Sequence, residues 1–302
     1  MSNPAGEIGT TKQKRTPPIR DEFEIAPSSL SQTVVGDISR PLPLWEKLTN
    51  NLVFRRLAIL VVLGAVWEIY ARIADDPLLV PTLTETVKAL FFSLQHELPG
   101  RILTSLRILA IGYAAGLCAA SVLTLVATSS QMGSELLSTL TAMFNPLPAI
   151  ALLPLALLWF GLGTPSLVFV IIHSVVWAVA LNTNSGFRSV SETQRMAGLN
   201  CGLRGIRYVL TILIPAAFAS ILTGLKIGWA FAWRTLIAAE LVFGSSSRSG
   251  GLGWYIYENQ NQLETQKVFA GLLTIILIGL FVEGVVFRQI ERITVQKWGM
   301  QR

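Results

Sequence analysis

Few residues of this chain are suited to making or breaking covalent bonds. The two histidines, His96 and His173, stand alone, and Cys118 and Cys201 have neither metal-ligand nor disulfide-framework spacing. There is no Ser/His/Asp set, no HExxH and no GxxxxGK-Ser/Thr loop for nucleotide phosphates. An enzyme needs such a cluster, so no catalytic group, metal or cofactor is expected. What the chain does carry is charge in apolar surroundings. Lys226, Arg234 and Glu240 lie in the run LTGLKIGWAFAWRTLIAAELVFG, with Trp233 beside the arginine. Charges inside a membrane are costly and face a bundle interior, water or each other. On a helix Lys226 and Arg234 are about 80° apart and about 12 Å along the axis. Both can border one path at different depths, where cations attract a small anion. The alternative pairs Arg234 with Glu240, Glu68 or Glu283 and makes it a packing device. Arg234 and Glu240 are about 120° apart on one helix, so that pair needs long side chains or separate chains. A lone His173 in an apolar run is expected to be packed and hydrogen-bonded.

A second constellation is the segment SETQRMAGLNCGLRGIRYVLTILIP, Ser191 to Pro215, which sets polar and small residues between two apolar runs. Small side chains at Ala197, Gly198 and Gly202 let a short helix approach a groove on another protein. Arg195, Arg204 and Arg207 suit carboxylates on that partner. Pro215 is expected in the first turn of the following helix, where its missing N–H costs little. The alternative is an ordinary basic loop.

Composition determines what must hold these residues. The chain has 302 residues, 52% hydrophobic and 14% charged, with a mean hydropathy of +0.55. Soluble domains carry about 25% charged residues, so lipid must be the solvent for much of this surface. The net charge of +6 sits in the tails and one internal loop, which fits anionic lipid rather than nucleic acid. Six apolar spans of near-membrane length follow one another: Leu57 to Ile73, Ile108 to Ala127, Leu137 to Phe160, Leu167 to Leu181, about Ala216 to Phe243, and Val268 to Phe287. Pro146, Pro148 and Pro154 interrupt the third. The fold expected is an all-α integral membrane protein of six transmembrane helices. PTLTETVKALFFSLQHEL, between the first two spans, reads as a short amphipathic interfacial helix. Residues 1–51, rich in Ser, Thr, Pro and mixed charge, read as a flexible cytoplasmic tail ahead of a membrane domain at 52–302.

Lys and Arg cluster before the first span (Arg55, Arg56), after the fourth (Arg188, Arg195, Arg204, Arg207) and after the sixth (Arg288, Arg292, Lys297, Arg302). With six spans these clusters share one side, which the positive-inside rule makes cytoplasmic. Both termini then lie inside, and Arg72, Arg101 and Arg107 are exceptions near the outer face.

The polar segment, at about 188–208, resembles the cytoplasmic loop of permeases of binding-protein-dependent ABC importers. That loop has the form EAA, three residues, Gly, nine residues, I-x-L-P. Met196-Ala197-Gly198 stands at EAA, with Met196 in place of the glutamate. Leu199 follows, Gly202 stands at the glycine, and ILIP from Ile212 to Pro215 stands at I-x-L-P. LLPLALLWFGLGTPS, the charged run above and SGGLGWYI are similar to the branch that imports sulfonates, taurine, nitrate or bicarbonate. The resemblance runs from about Leu57 to the C-terminus. It implies a type I importer permease in a bacterial inner membrane, with Arg195 to Gly202 and Pro215 in the coupling loop and Lys226, Trp233, Arg234 and Glu240 along the path. It further implies a second copy of the chain, two separate ATP-binding subunits and an extracytoplasmic solute-binding protein. A secondary transporter, which would show inverted repeats, is the alternative.

Overall fold

The structure is a computed structural model that describes residues 52–243 and 250–296. The chain divides into two units, 1–59 and 60–302, and only the opening of the first helix is described in the former. The expected tail lies outside the described residues. Among the described residues the protein is all helix. Five helices are long and apolar enough to cross a membrane: Phe54–Ala74, Leu98–Ser129, Thr164–Ser189, Gly205–Val242 and Thr265–Thr294. In chain order the helices are α1 Leu52–Ala74, α2 Leu83–His96, α3 Leu98–Ser129, α4 Gln131–Phe144, α5 Leu153–Phe160, α6 Thr164–Ser189, α7 Glu192–Asn200, α8 Gly205–Tyr208, α9 Ile214–Phe243, α10 Leu252–Asn261, α11 Thr265–Phe281 and α12 Arg288–Glu291.

The third expected span is not straight. The α4 helix and the helical segment Ala149–Phe160 meet at 85° and count as a sixth span only as a bent pair. Asn145-Pro146-Leu147-Pro148 makes the elbow: each proline lacks an N–H to continue the helical ladder, Asn145 still holds helical dihedrals, and the backbone is extended by Pro148. Pro154 does no such damage; it sits in the first turn of α5, where the missing donor is an orphan anyway.

Helix α6 is the centre of the bundle. Over half of its apolar window, 56%, is buried, against 6% for the first span, whose Val61, Val62 and Leu63 lie open to lipid. It packs against α3 on one side and α9 on the other. Glycines make both contacts close. A Cβ on Gly112 or Gly116 of α3 would stand 2.7 Å from Ile171 or 2.8 Å from Val175. On α9, a Cβ at Gly228 would come within 2.9 Å of Val179 and one at Gly224 within 2.8 Å of Asn182. Small residues let backbones approach where lipid supplies no hydrophobic drive, leaving dispersion to hold the helices.

Two local devices explain why charge is tolerated near the ends of these helices. Glu68 accepts from Thr84 Oγ1 at 2.8 Å and from the Thr84 N–H at 3.1 Å, and pairs with Arg72 at 2.7 Å. This ties α1 to the start of α2. Arg101 pairs with Glu258 at 2.8 Å and donates to the Gly250 carbonyl. Two of the three arginines that break the charge rule are thus neutralised locally, and α3 runs ten residues further back than its apolar stretch suggests. The amphipathic helix α2 opens on a Thr82/Glu85 capping box. It turns Thr86, Leu90 and Ser93 inward, where Ser93 and Tyr255 share a hydrogen bond of 2.8 Å.

Candidate functional site

The segment after α6 folds as α7, a nine-residue helix capped by Ser191, whose hydroxyl accepts from the Gln194 N–H. It ends in a Schellman motif: the Leu203 N–H reaches the Gly198 carbonyl at 3.1 Å, and the Gly202 N–H reaches Leu199 at 2.9 Å. Gly202, at φ +76°, is the left-handed residue this stop requires, and a Cβ there would meet open space. Gly198 has a different task. It is buried, and a Cβ would stand 2.8 Å from Ile212 and 3.2 Å from Tyr208. The close approach that its size permits is to this chain's own next helix.

Arg195 is likewise turned inward. It donates to the carbonyls of Phe187 and Val190, capping the end of α6, where a cation suits the helix dipole. The exposed residues of α7 are Glu192, Thr193, Gln194 and Asn200 together with the apolar Met196, Ala197 and Leu199, and Ile206 of α8 is 69% exposed. Pro215 stands in the first turn of α9, as expected, but α9 continues a helix that already begins at Gly205, so the proline is interior to the whole span Gly205–Val242. A π-helical stretch, Val209–Leu213, immediately precedes it, and such a widened turn absorbs the carbonyl that a proline cannot satisfy.

The charges of the fifth span separate into three environments. Lys226 pairs with Glu291 of α12 at 2.7 Å. Glu240, 4% exposed, accepts from Ser105 at 2.8 and 2.9 Å and from the Gly253 N–H at 2.8 Å, while Ser105 accepts from the Leu252 N–H at 2.8 Å. Glu240 and Ser105 together cap α10 from two other helices. Trp233 is buried, stacked 6.5 Å from Trp229. Arg234 is exposed; its Nε donates to Ala230, and its guanidinium lies 5.1 Å from the Phe231 ring centre. None of Glu68, Glu240 and Glu283 pairs with it, and no carboxylate does among the described residues.

The Lys226–Glu291 pair is half-buried. Lys226→Gln and Glu291→Gln are each expected to cost about 1 kcal/mol of stability, with the double variant no worse than either single one. Additive losses in a double-mutant cycle read by thermal unfolding would show that the two side chains do not interact.

Arg234 lines a cavity of about 420 Å³ at the proline elbow. The wall is made by Asn145 to Ile150, by His173, Ser174 and Trp177 of α6, and by Phe231, Arg234, Thr235 and Ala238 of α9. Of the four residues expected along a path, only Arg234 is on this wall. His173 was expected to be hydrogen-bonded, yet among the described residues neither ring nitrogen has a partner, and nor does the Trp177 Nε1. The sequence signal for His173 is a polar ring in an apolar run.

Residues 112–295 match the family described as binding-protein-dependent transport system inner membrane component. The chain belongs to that family. The match takes in the second half of α3, the elbow, α7 and every cavity helix. Among relatives of this permease, a Methanocaldococcus jannaschii protein provisionally named an ABC transporter permease is 30% identical over 72% of this chain and 82% of its own length. The taurine transport system permease protein TauC of Escherichia coli is 32% identical over 49% of this chain and 52% of its own. The nitrate import permease protein NrtB of Synechocystis is 28% identical over 61% and 65%. This permease is therefore a multi-pass membrane component of a transport system.

Proposed function

We propose that the chain forms the translocation path of an ATP-driven importer for a small organic anion of the sulfonate class. Separate ATP-binding subunits supply the energy, and an extracytoplasmic binding protein delivers the solute. The observation that carries the reading is Arg234, a guanidinium with no carboxylate partner among the described residues, on the wall of a cavity between membrane helices. An unpaired cation in such a place is costly and is offset when an anion visits. The names of the taurine and nitrate relatives support the same class.

In the cycle proposed, two copies of the chain face each other and the surface at Met196, Ala197 and Leu199 docks the ATPase on the cytoplasmic side, where both termini lie. ATP-driven closure of the motors displaces α7, and α7 passes the movement to the helices through the Gly198 contact. The cavity alternates between the two sides because ATP binds one arrangement better than the other. Residues 1–51 act as a cytoplasmic tail outside this cycle.

The test is uptake of a radiolabelled organosulfonate into proteoliposomes holding the permease, its ATPase and its binding protein. Uptake is expected to need ATP and all three proteins, to survive deletion of residues 1–41, and to fall about tenfold or more in Arg234→Gln, the size expected for a lost charge-assisted pair. Uptake that ignores ATP would favour a secondary transporter, and uptake unchanged in Arg234→Gln would leave anion selection to the binding protein.

A further inference from the structure

A second cavity, of about 600 Å³, shares no wall with Arg234 or the elbow. Three segments enclose it: Pro77 and Leu78 after α1, one face of α2 carrying Lys88 and Phe92, and Leu263 to Lys267, which lead from α10 into α11. The Thr265 hydroxyl donates to the Leu78 carbonyl at 2.8 Å and fastens two of these segments together. The depth of the cavity follows from its neighbours. One membrane-length helix ends at Ala74 and another begins at Thr265, so the cavity stands where two spans leave the hydrocarbon, at the level of lipid headgroups. The amphipathic α2 suits the same depth.

The lining has two chemistries. Lys88 is exposed and pairs with no carboxylate among the described residues. Lys267 lines the same space and is paired with Glu264, so the cavity keeps an excess of positive charge. Apolar side chains share the lining while lying open: Leu78 is 63% exposed, Phe92 58% and Leu263 72%. Leu263 also holds φ +59°, a left-handed backbone that a bulky L residue rarely adopts. Glycine would make that turn without strain, yet the chain places a bare isobutyl group beside the cavity. Such outliers gather at ligand clamps.

We propose that this cavity holds the headgroup of an anionic phospholipid, with the phosphodiester against Lys88 and Lys267 and an acyl chain against Leu78, Phe92 and Leu263. An ammonium is a compact charge that suits a phosphate, and its apolar stem can lie along the wall. A free phosphate would leave the apolar lining in water, and a zwitterionic headgroup brings its own cation against the excess charge. The proposal goes beyond the transport reading: it concerns a lipid that bridges the α1–α2 connection and α11, and it stands whatever solute the permease carries.

The test is native mass spectrometry of the full-length permease–ATPase complex after exchange with dioleoylphosphatidylglycerol, dioleoylphosphatidylcholine or sodium phosphate, with melting measured on the same samples. Wild type is expected to retain phosphatidylglycerol in preference to phosphatidylcholine and to melt higher with it. Lys88→Gln is expected to bind it about fivefold more weakly, the size of one cation at a membrane surface, and Lys88→Arg to restore it. Leu263→Gly gives an independent reading: without lipid it should melt no lower than wild type, because the strain is gone, yet it should retain less phosphatidylglycerol. Equal retention by wild type, Lys88→Gln and Leu263→Gly would overturn the site. Phosphatidylcholine held as tightly as phosphatidylglycerol would overturn the anionic assignment, and inorganic phosphate that displaces the lipid would make the ligand a free anion. A Lys88→Gln complex that holds lipid normally but loses stimulation of its ATPase by the binding protein would make this surface a protein dock instead.

Discussion

Replacing Glu240 with leucine is expected to be the most destabilising single change in the chain. Its carboxylate receives the Ser105 hydroxyl and the Gly253 N–H inside the protein, with only 4% of the residue exposed. Leucine would leave both donors without an acceptor, at about 1–3 kcal/mol each. It would also release Ser105, which holds the Leu252 N–H, so α10 would lose its start and its tie to α3 and α9. Glutamine should be milder, since it keeps one acceptor oxygen. The glycines before and within α10 make the same network vulnerable from the other side. A Cβ on Gly251 would stand 2.1 Å from the Ser105 oxygen and 2.2 Å from the Glu240 carboxylate, so Gly251→Ala must displace the network as well. Thermal unfolding of the detergent-solubilised protein, followed by size-exclusion chromatography, reads both. A Glu240→Leu protein that melts like wild type would show that the carboxylate caps nothing.

Second in size are changes that separate the two roles of the α7 segment. Gly198→Leu would push against Ile212 and Tyr208, a small-to-large change worth about 1–3 kcal/mol, and would lift α7 from the helix that follows it. Gly202→Ala keeps all space but strains a left-handed residue by about 1–2 kcal/mol. Both should lower stability and reduce transport per ATP hydrolysed. Met196→Ala and Leu199→Ala should instead leave stability unchanged and weaken docking of the ATPase. Both side chains are about half exposed, so the fold should be untouched, whereas a central contact on a docked partner costs more than 1 kcal/mol when truncated. Pull-down of the ATPase by each variant, with melting measured alongside, distinguishes these outcomes. Normal ATPase retention by the Met196→Ala, Leu199→Ala double variant would remove this face from the docking surface.

Much of the architecture was legible because membrane helices announce themselves by apolar length. What stayed hidden lies where a residue can serve two ends. Pro215 reads as a helix start, and it does open α9, but a π-turn of five residues lets an earlier helix run through it. Pro146 and Pro148 were visible as interruptions, yet only their separation by one residue explains a turn of 85° rather than a kink. Gly198 and Gly202 share a residue type and a motif, and nothing in sequence distinguishes a close contact from a left-handed stop. The sequence offers carboxylate partners for Arg234, yet it is Lys226 that pairs; its partner, Glu291, is 65 residues away, beyond any local pattern. The Glu240–Ser105 pair spans 135 residues and is hidden for the same reason. His173 reads as hydrogen-bonded because buried histidines usually find partners, and no local pattern shows that this one has none among the described residues.

The glycine contacts of α6 also bear on how such a chain can change over generations. Gly112 faces Ile171, Gly116 faces Val175, and Gly228 faces Val179. Enlarging the glycine alone overpacks the seam, and shrinking the branched partner alone opens a void, each at about 1–3 kcal/mol. Either first step passes through a weaker protein, whereas the two together conserve volume. Positions along this axis are therefore bound to vary in pairs, one on each helix. The lipid-facing side chains of α1, with no such counterpart, are free to vary singly among apolar residues.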